Sequence, residues 1–163
     1  MSRIPPTVHR YRVSADTIDR TRRFLGRRGE HGLEATVLWL GRVINQTTAE
    51  ILIPYAPEQI AYRSEDGVAV EVTAEGLSNL ISKLPEGIFV LCRVHSHPSK
   101  AYHSDTDDQN LIIAHPGAIS IVVPDFARDP IKLSGCSVNE LQPDGRWREL
   151  THDEVAWRFA VHP

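Results

Sequence analysis

The sequence has 163 residues, is 41% hydrophobic and 24% charged, and carries a net charge of −3. That length suits one domain with a buried core, and the composition excludes disordered and fibrous chains. The longest uncharged runs, such as Leu111–Pro124, are too short and too broken to span a bilayer. The opening residues MSRIPPTVHRYRV lack the apolar stretch of a signal peptide. Two cysteines, Cys92 and Cys136, are too few for a disulfide framework. A reduced, cytoplasmic protein without membrane contact is expected.

Charge is unevenly spread. Residues 1–31 hold eight Arg against three acidic residues, a balance of +5, whereas residues 32–163 hold ten basic and eighteen acidic residues, a balance of −8. A basic segment can bind nucleic acid or form a solvated helix face. Only Phe24 interleaves with the arginines between Arg20 and Arg28. That is a poor stacking platform, so nucleic acid is not the expected partner.

In chain order, Ser14–Arg28 reads as a helix capped by Ser14, with Ile18 and Leu25 near one face. The apolar run Ala35–Ile44 reads as a buried strand, and Ala49–Pro54 as its hairpin partner. Tyr55–Gly67 reads as a polar connection, and Val68–Val72 alternates as a strand. Thr73–Leu84 places Leu77, Leu80, Ile81 and Leu84 on one helical face. Ile88–Val94 reads as a central strand, Asp107–His115 as a short helix, and Ala118–Val123 and Ile131–Val138 as strands. Arg146–Leu150 is expected to pair across the Pro143–Gly145 turn, and Thr151 with Glu154 forms a capping box for a last helix. The expected fold class is α/β (α+β): a mixed, mostly antiparallel sheet flanked by helices, in a single domain over residues 1–163.

The chemistry concentrates in Val94–Gln109, VHSHPSKAYHSDTDDQ, directly after a buried strand. His95 and His97 are two apart, so both imidazoles can converge on one side of an extended chain. Pro98 stops the strand. Asp107 follows ten residues after His97. Two imidazoles and one carboxylate make a three-ligand zinc site with a fourth position for water, which can lose a proton near neutral pH. An isolated H-x-H in a chain with eight His is more often an ordinary pair of loop residues. Pro98, Ser104 and Asp107 in sequence with it favour the metal site. Cys92, at an odd separation from His95, is expected on the opposite face as a core thiol.

HSHP followed by SxxD resembles the JAMM motif of JAB/MPN-domain metalloproteases. Those proteins also carry an upstream glutamate in a pattern close to E-x-x-G-x-x-x-G. Here Leu33–Gly41 reads LEATVLWLG, which puts Glu34 and Gly41 at that spacing, with Val37 at the first glycine position. Glu30 lies outside the pattern. The resemblance covers residues 13–138 and implies the JAB/MPN (cytidine-deaminase-like) fold. It implies that His95, His97 and Asp107 bind Zn2+, that Glu34 is the general base, and that Ser104 donates to the oxyanion. The family has ten residues between the second His and the Asp. This chain has nine before Asp107, and a count of ten would select Asp108. Ser104 and Asp107 keep the family's Ser–Asp spacing, which favours Asp107. His103, inside this short loop, is expected on the substrate or solvent side.

By resemblance the chain is a compact prokaryotic, deubiquitinase-like zinc (iso)peptidase. Its substrate would be a ubiquitin-like protein, cut after its C-terminal glycine. Activating and conjugating enzymes of a bacterial antiphage system would be further partners. The loops Tyr55–Gly67 and Ser99–His103 are expected to shape the groove for the substrate tail. A metallohydrolase acting on a sulfur-carrier protein or small peptide is an alternative, and a non-enzymatic adaptor with structural zinc is another. Trp147 and Trp157 are expected as core or interface anchors.

Overall fold

Ser14 turns the first strand into the first helix. In this computed structural model, which describes residues 4–104 and 115–163, β1 (Arg10–Ser14) runs directly into α1 (Ala15–Glu30). Ser14 is itself extended, and its Oγ accepts the Thr17 N–H at 3.0 Å. Asp16 in the first turn and Arg27 and Arg28 in the last suit the helix dipole. Thr17, Ile18, Thr21 and Leu25 form the buried stripe. Trp39, fully buried in the sheet, donates its Nε1–H to Thr21 Oγ1 at 2.8 Å, and that hydroxyl donates to the Thr17 carbonyl at 2.8 Å. The helix is therefore pinned by packing and by a satisfied polar chain.

The apolar run after α1 becomes β2 (Thr36–Val43), and β3 (Thr48–Tyr55) pairs with it antiparallel. Asn45 closes the turn: its Oδ1 accepts the Thr47 N–H at 2.9 Å and the Thr48 N–H at 3.0 Å. The register of β2 shifts at Trp39–Gly41 on both sides. A Cβ on Gly41 would lie 1.9 Å from the Glu50 carbonyl oxygen, so only glycine fits there. That gives Gly41 a backbone reason for its place in the motif.

The Tyr55–Gly67 connection is more ordered than expected. It contains β4 (Gln59–Ser64), which pairs with β5 (Gly67–Val72) as a separate two-stranded sheet. The two-residue loop between them was the missed hairpin signal. Next, α2 (Ala74–Lys83) is capped by Thr73, whose Oγ1 accepts the Gly76 N–H at 2.9 Å. β6 (Phe89–Ser96), β7 (Ile119–Val123), β8 (Ser137–Leu141) and β9 (Trp147–Glu149) follow. The strand expected over Ile131–Val138 starts late, because Leu133–Gly135 forms a 3-10 turn first. The helix expected at Asp107–His115 lies almost wholly outside the described residues. α3 (His152–Arg158) opens on the expected capping box of Thr151 and Glu154. It leads into β10 (Phe159–His162).

The main sheet has eight strands in the order β10-β1-β3-β2-β6-β7-β8-β9, with β6 central. The β1–β10, β1–β3 and β6–β7 pairs are parallel, and the other four pairs are antiparallel. The mixed sheet with helices bears out the expected fold class. One sheet face packs Val37, Trp39, Cys92, Val94 and Ile121 with Leu25 of α1. The opposite face packs Leu38 and Leu40 with Leu80 of α2. Tyr11 and Phe159 stack at 5.1 Å where the first and last strands meet. No helix among the described residues is long and apolar enough to cross a membrane.

Candidate active site

The alternation of β6 sorts its side chains between the two faces. Cys92 and Val94 face the α1 side, whereas Arg93, His95 and His97 fall on the other. Cys92 is thus the expected core thiol, and its burial pushes its pKa well above the usual thiol range.

On β2, Thr36 lies opposite His95. The ladder continues one step further: the Ser96 N–H donates to the Ala35 carbonyl at 3.1 Å, and the Ala35 N–H donates to Ser96 Oγ at 3.1 Å. Carrying the register on brings Glu34 level with His97, and residues opposed across an antiparallel pair share a face. Glu34, His95 and His97 are all buried. The structure therefore brings together three of the five expected site residues, from two chain segments about sixty residues apart.

The two imidazole rings stand 5.1 Å apart between centroids, with their planes at 63°. Zinc–nitrogen bonds of about 2.0–2.1 Å at a tetrahedral angle place two imidazole centroids about 5 Å apart. The pair therefore fits a shared metal ion. Among the described residues, no three His, Cys, Asp or Glu side chains gather as a metal site. Asp107, the carboxylate expected to complete it, and its competitor Asp108 lie outside the described residues. Ser104 is half-buried at the end of the loop that leaves His97. Two side chains of that loop make ring contacts: Tyr102 meets His97 edge-on at 4.7 Å, and His103 packs on Trp147 of β9 at 4.8 Å.

Four supports of this site were not foreseen. Ser96, between the two histidines, uses its Oγ as the acceptor for the Ala35 N–H beside Glu34. Gln59, at the start of β4, accepts the Thr36 N–H at 2.7 Å and donates to the Thr36 carbonyl at 2.9 Å. Its carboxamide thus extends the β2 ladder where β3 has ended. Trp147 carries His103 from the far edge of the sheet. The last support is a left-handed turn, Asp125–Ala127, with φ of 53°, 53° and 54° at three non-glycine residues. Such a conformation costs about 1–2 kcal/mol per residue. The Phe126 N–H donates to the His97 carbonyl at 2.8 Å and the Asp125 N–H to the Ser99 carbonyl at 2.9 Å, while the His97 N–H donates to Val123 at 2.9 Å. The backbone that carries His97 is thus held on both sides. None of these had a local sequence signal, because each joins residues distant in the chain.

The same face carries a buried polar seam beyond the histidines. Arg93 Nη2 donates to Ser120 Oγ at 3.0 Å, and Asn139 Nδ2 donates to Ser137 Oγ at 3.0 Å. Buried polar groups are costly unless they are paired. A row of them beside two histidines marks this face as chemically specialised.

No family profile matches the chain. Over 125 residues it is 38% identical to "Probable metalloprotease y4jG" of Sinorhizobium fredii, covering 75% of this chain and 75% of that protein. Among solved structures it is similar to protein DSY2949 of Desulfitobacterium hafniense, with a TM-score of 0.59 and 15% identity over 93% of this chain and 92% of that one. It is also similar to a protein of Salinibacter ruber, with a TM-score of 0.54 and 21% identity over 86% and 88% of the two chains. At such identities these two structures speak for the fold alone. The identity of 38%, across most of both chains, establishes that this protein belongs to the metalloprotease family of y4jG.

Proposed function

We propose that this chain is a zinc-dependent peptidase of the JAB/MPN type, acting after the C-terminal glycine of a ubiquitin-like protein. The observation that carries the reading is the pair of imidazoles 5.1 Å apart at the end of β6, with Glu34, just ahead of β2, carried level with His97 by the register of the two strands. His95, His97 and Asp107 would hold the metal. When bound, zinc supplies Lewis acidity, which polarises the scissile carbonyl and acidifies a water.

The chain's own residues do the rest. Glu34 takes the proton of the attacking water and passes it to the leaving amine, a relay worth typically 10²–10⁴-fold. Ser104 donates to the carbonyl oxygen as it gains negative charge, and losing such a donor costs on the order of 3 kcal/mol in the barrier. Gln59 ties the β4–β5 hairpin to Thr36. A strand edge of that hairpin then lies near the site, where an extended glycine-ended tail can add as a further strand. Bacterial conjugation systems, including antiphage ones, supply substrates of this class.

Two measurements test the reading. Elemental analysis of wild type, Asp107→Ala and Asp108→Ala is expected to find about one zinc per chain in wild type and Asp108→Ala, and almost none in Asp107→Ala. Cleavage of a ubiquitin-like protein extended beyond its terminal glycine is expected to vanish in Glu34→Gln, which keeps its zinc. Wild type that binds no zinc, or Glu34→Gln that cuts normally, refutes the proposal.

A further inference from the structure

A cleft of about 450 Å³ lies between α1 and the segment Phe126–Arg128, on the α1 side of the sheet, whereas the histidine side chains point to the other side. Its size is that of a small-molecule site. Four arginines line it, Arg22, Arg23, Arg27 and Arg128, against one carboxylate, Glu30. Asp19 neutralises Arg23 at 3.1 Å. Among the described residues, Arg22, Arg27 and Arg128 have no ion-pair partner.

The cleft is built, not incidental. Arg22 is fixed by donating Nη2–H to the Arg128 carbonyl at 2.7 Å. Its Nε–H is buried, with no acceptor among the described residues. A buried donor left without an acceptor is costly and rare in native proteins. Gly26 and Gly29 let α1 approach the turn so closely that a Cβ on Gly29 would lie 2.4 Å from Phe126 Cβ. Two glycines inside a helix weaken it, so this close approach is maintained at a cost. The cleft sits near the C-terminal half of α1, where the helix dipole repels anions. The guanidiniums must therefore supply all the attraction.

We propose that this cleft binds a small organic phosphate. Guanidinium forks match phosphoryl oxygens in geometry and charge. Arg27 and Arg128, both exposed, would grip the phosphoryl group from the rim, and the charge of Arg22 behind them adds to the attraction. The half-buried Phe126 ring offers an apolar wall for the organic part. Residues 1–31, which supply three of the four arginines, carry a balance of +5 against −8 for the rest of the chain.

The test is calorimetric titration of the full chain with pyrophosphate and with ADP, in wild type, Arg27→Gln, Arg128→Gln and the remote control Arg146→Gln. Arg27 and Arg128 are exposed, so every variant is expected to fold, and circular dichroism checks this. Saturable binding is expected in wild type and the control, weakened about tenfold in each cleft variant, which is the worth of one good guanidinium contact. No saturable binding of either probe, or equal binding in all four proteins, overturns the proposal. So does binding of a single-stranded oligonucleotide without binding of either probe, which would make the arginines a nucleic-acid surface. None of these readouts depends on zinc or on peptidase activity.

Discussion

Replacing Gly29 by alanine tests how firmly the left-handed turn holds the histidine strand. Gly29 is the penultimate residue of α1, so the change alone is favourable by less than the ~1 kcal/mol of a helix interior. Here the new Cβ would lie 2.4 Å from Phe126 Cβ and 2.7 Å from the Phe126 carbonyl oxygen. Carbon atoms rest about 3.5–4.0 Å apart, so the turn must retreat by about 1 Å. That retreat stretches the bonds from Phe126 to His97 and from Asp125 to Ser99, each worth about 1 kcal/mol net. With an overpacking penalty of about 1–3 kcal/mol, a net loss of about 1–3 kcal/mol remains. At about 2–4 °C per kcal/mol, the melting temperature falls by about 2–12 °C. Gly26→Ala is the internal control. Its Cβ meets Ala127 O at 3.4 Å, the edge of ordinary contact, so the helix-propensity gain survives and the melting temperature rises by up to about 4 °C. Thermal melts followed by circular dichroism decide the matter. Equal stabilisation by both substitutions would refute the view that Gly29 exists to admit Phe126.

Three further outcomes follow from the contacts. Ser96→Ala removes the acceptor of the buried Ala35 N–H and is expected to cost about 1–3 kcal/mol in urea unfolding; Ser96→Thr, which keeps an oxygen, should restore part of it. Trp147→Ala should abolish the ring-current shift of the His103 protons in NMR spectra, whereas Trp147→Phe should preserve most of it. At Glu140, burial raises the carboxyl pKa, but hydrogen bonds from Arg158 and Gln142 and the charges of Arg158 and Arg148 outweigh it and hold it below the ordinary range. A depressed folded value stabilises above the ordinary glutamate pKa, about 4.3, and that contribution is lost as pH falls through the folded value. Glu140→Gln should therefore lower stability by about 1 kcal/mol at pH 7, with the gap to wild type closing at pH 3.

What could be read in advance was what neighbours in sequence decide. Ser14 and Thr151 announce two of the described helices because a cap acts on residues two or three away, and the apolar spacing of Leu77, Leu80, Ile81 and Leu84 announces α2. The strand β6 and the shared side of His95 and His97 follow from period two alone. By contrast β1 and β10 are short, and nothing local marks them. They become strands by pairing with segments distant in the chain, β1 with β3 and β10, and β10 with β1. Glu34 was placed by resemblance, and its physical reason is a register between β2 and β6 that no local pattern encodes. Gln59 standing in for a strand, and Trp147 meeting His103, are likewise products of the fold.

The pairing of β1 with β10 also sets an order of events during synthesis. A chain leaving the ribosome can form the β2–β3 hairpin and then add β6 while the edge of β1 stays bare. At about 5–20 residues per second, residues 159–162 emerge roughly seven to thirty seconds after β1. Throughout that interval β1 exposes a row of N–H and C=O groups that another nascent chain can take up. β10 is therefore the strand that covers the edge β1 leaves bare.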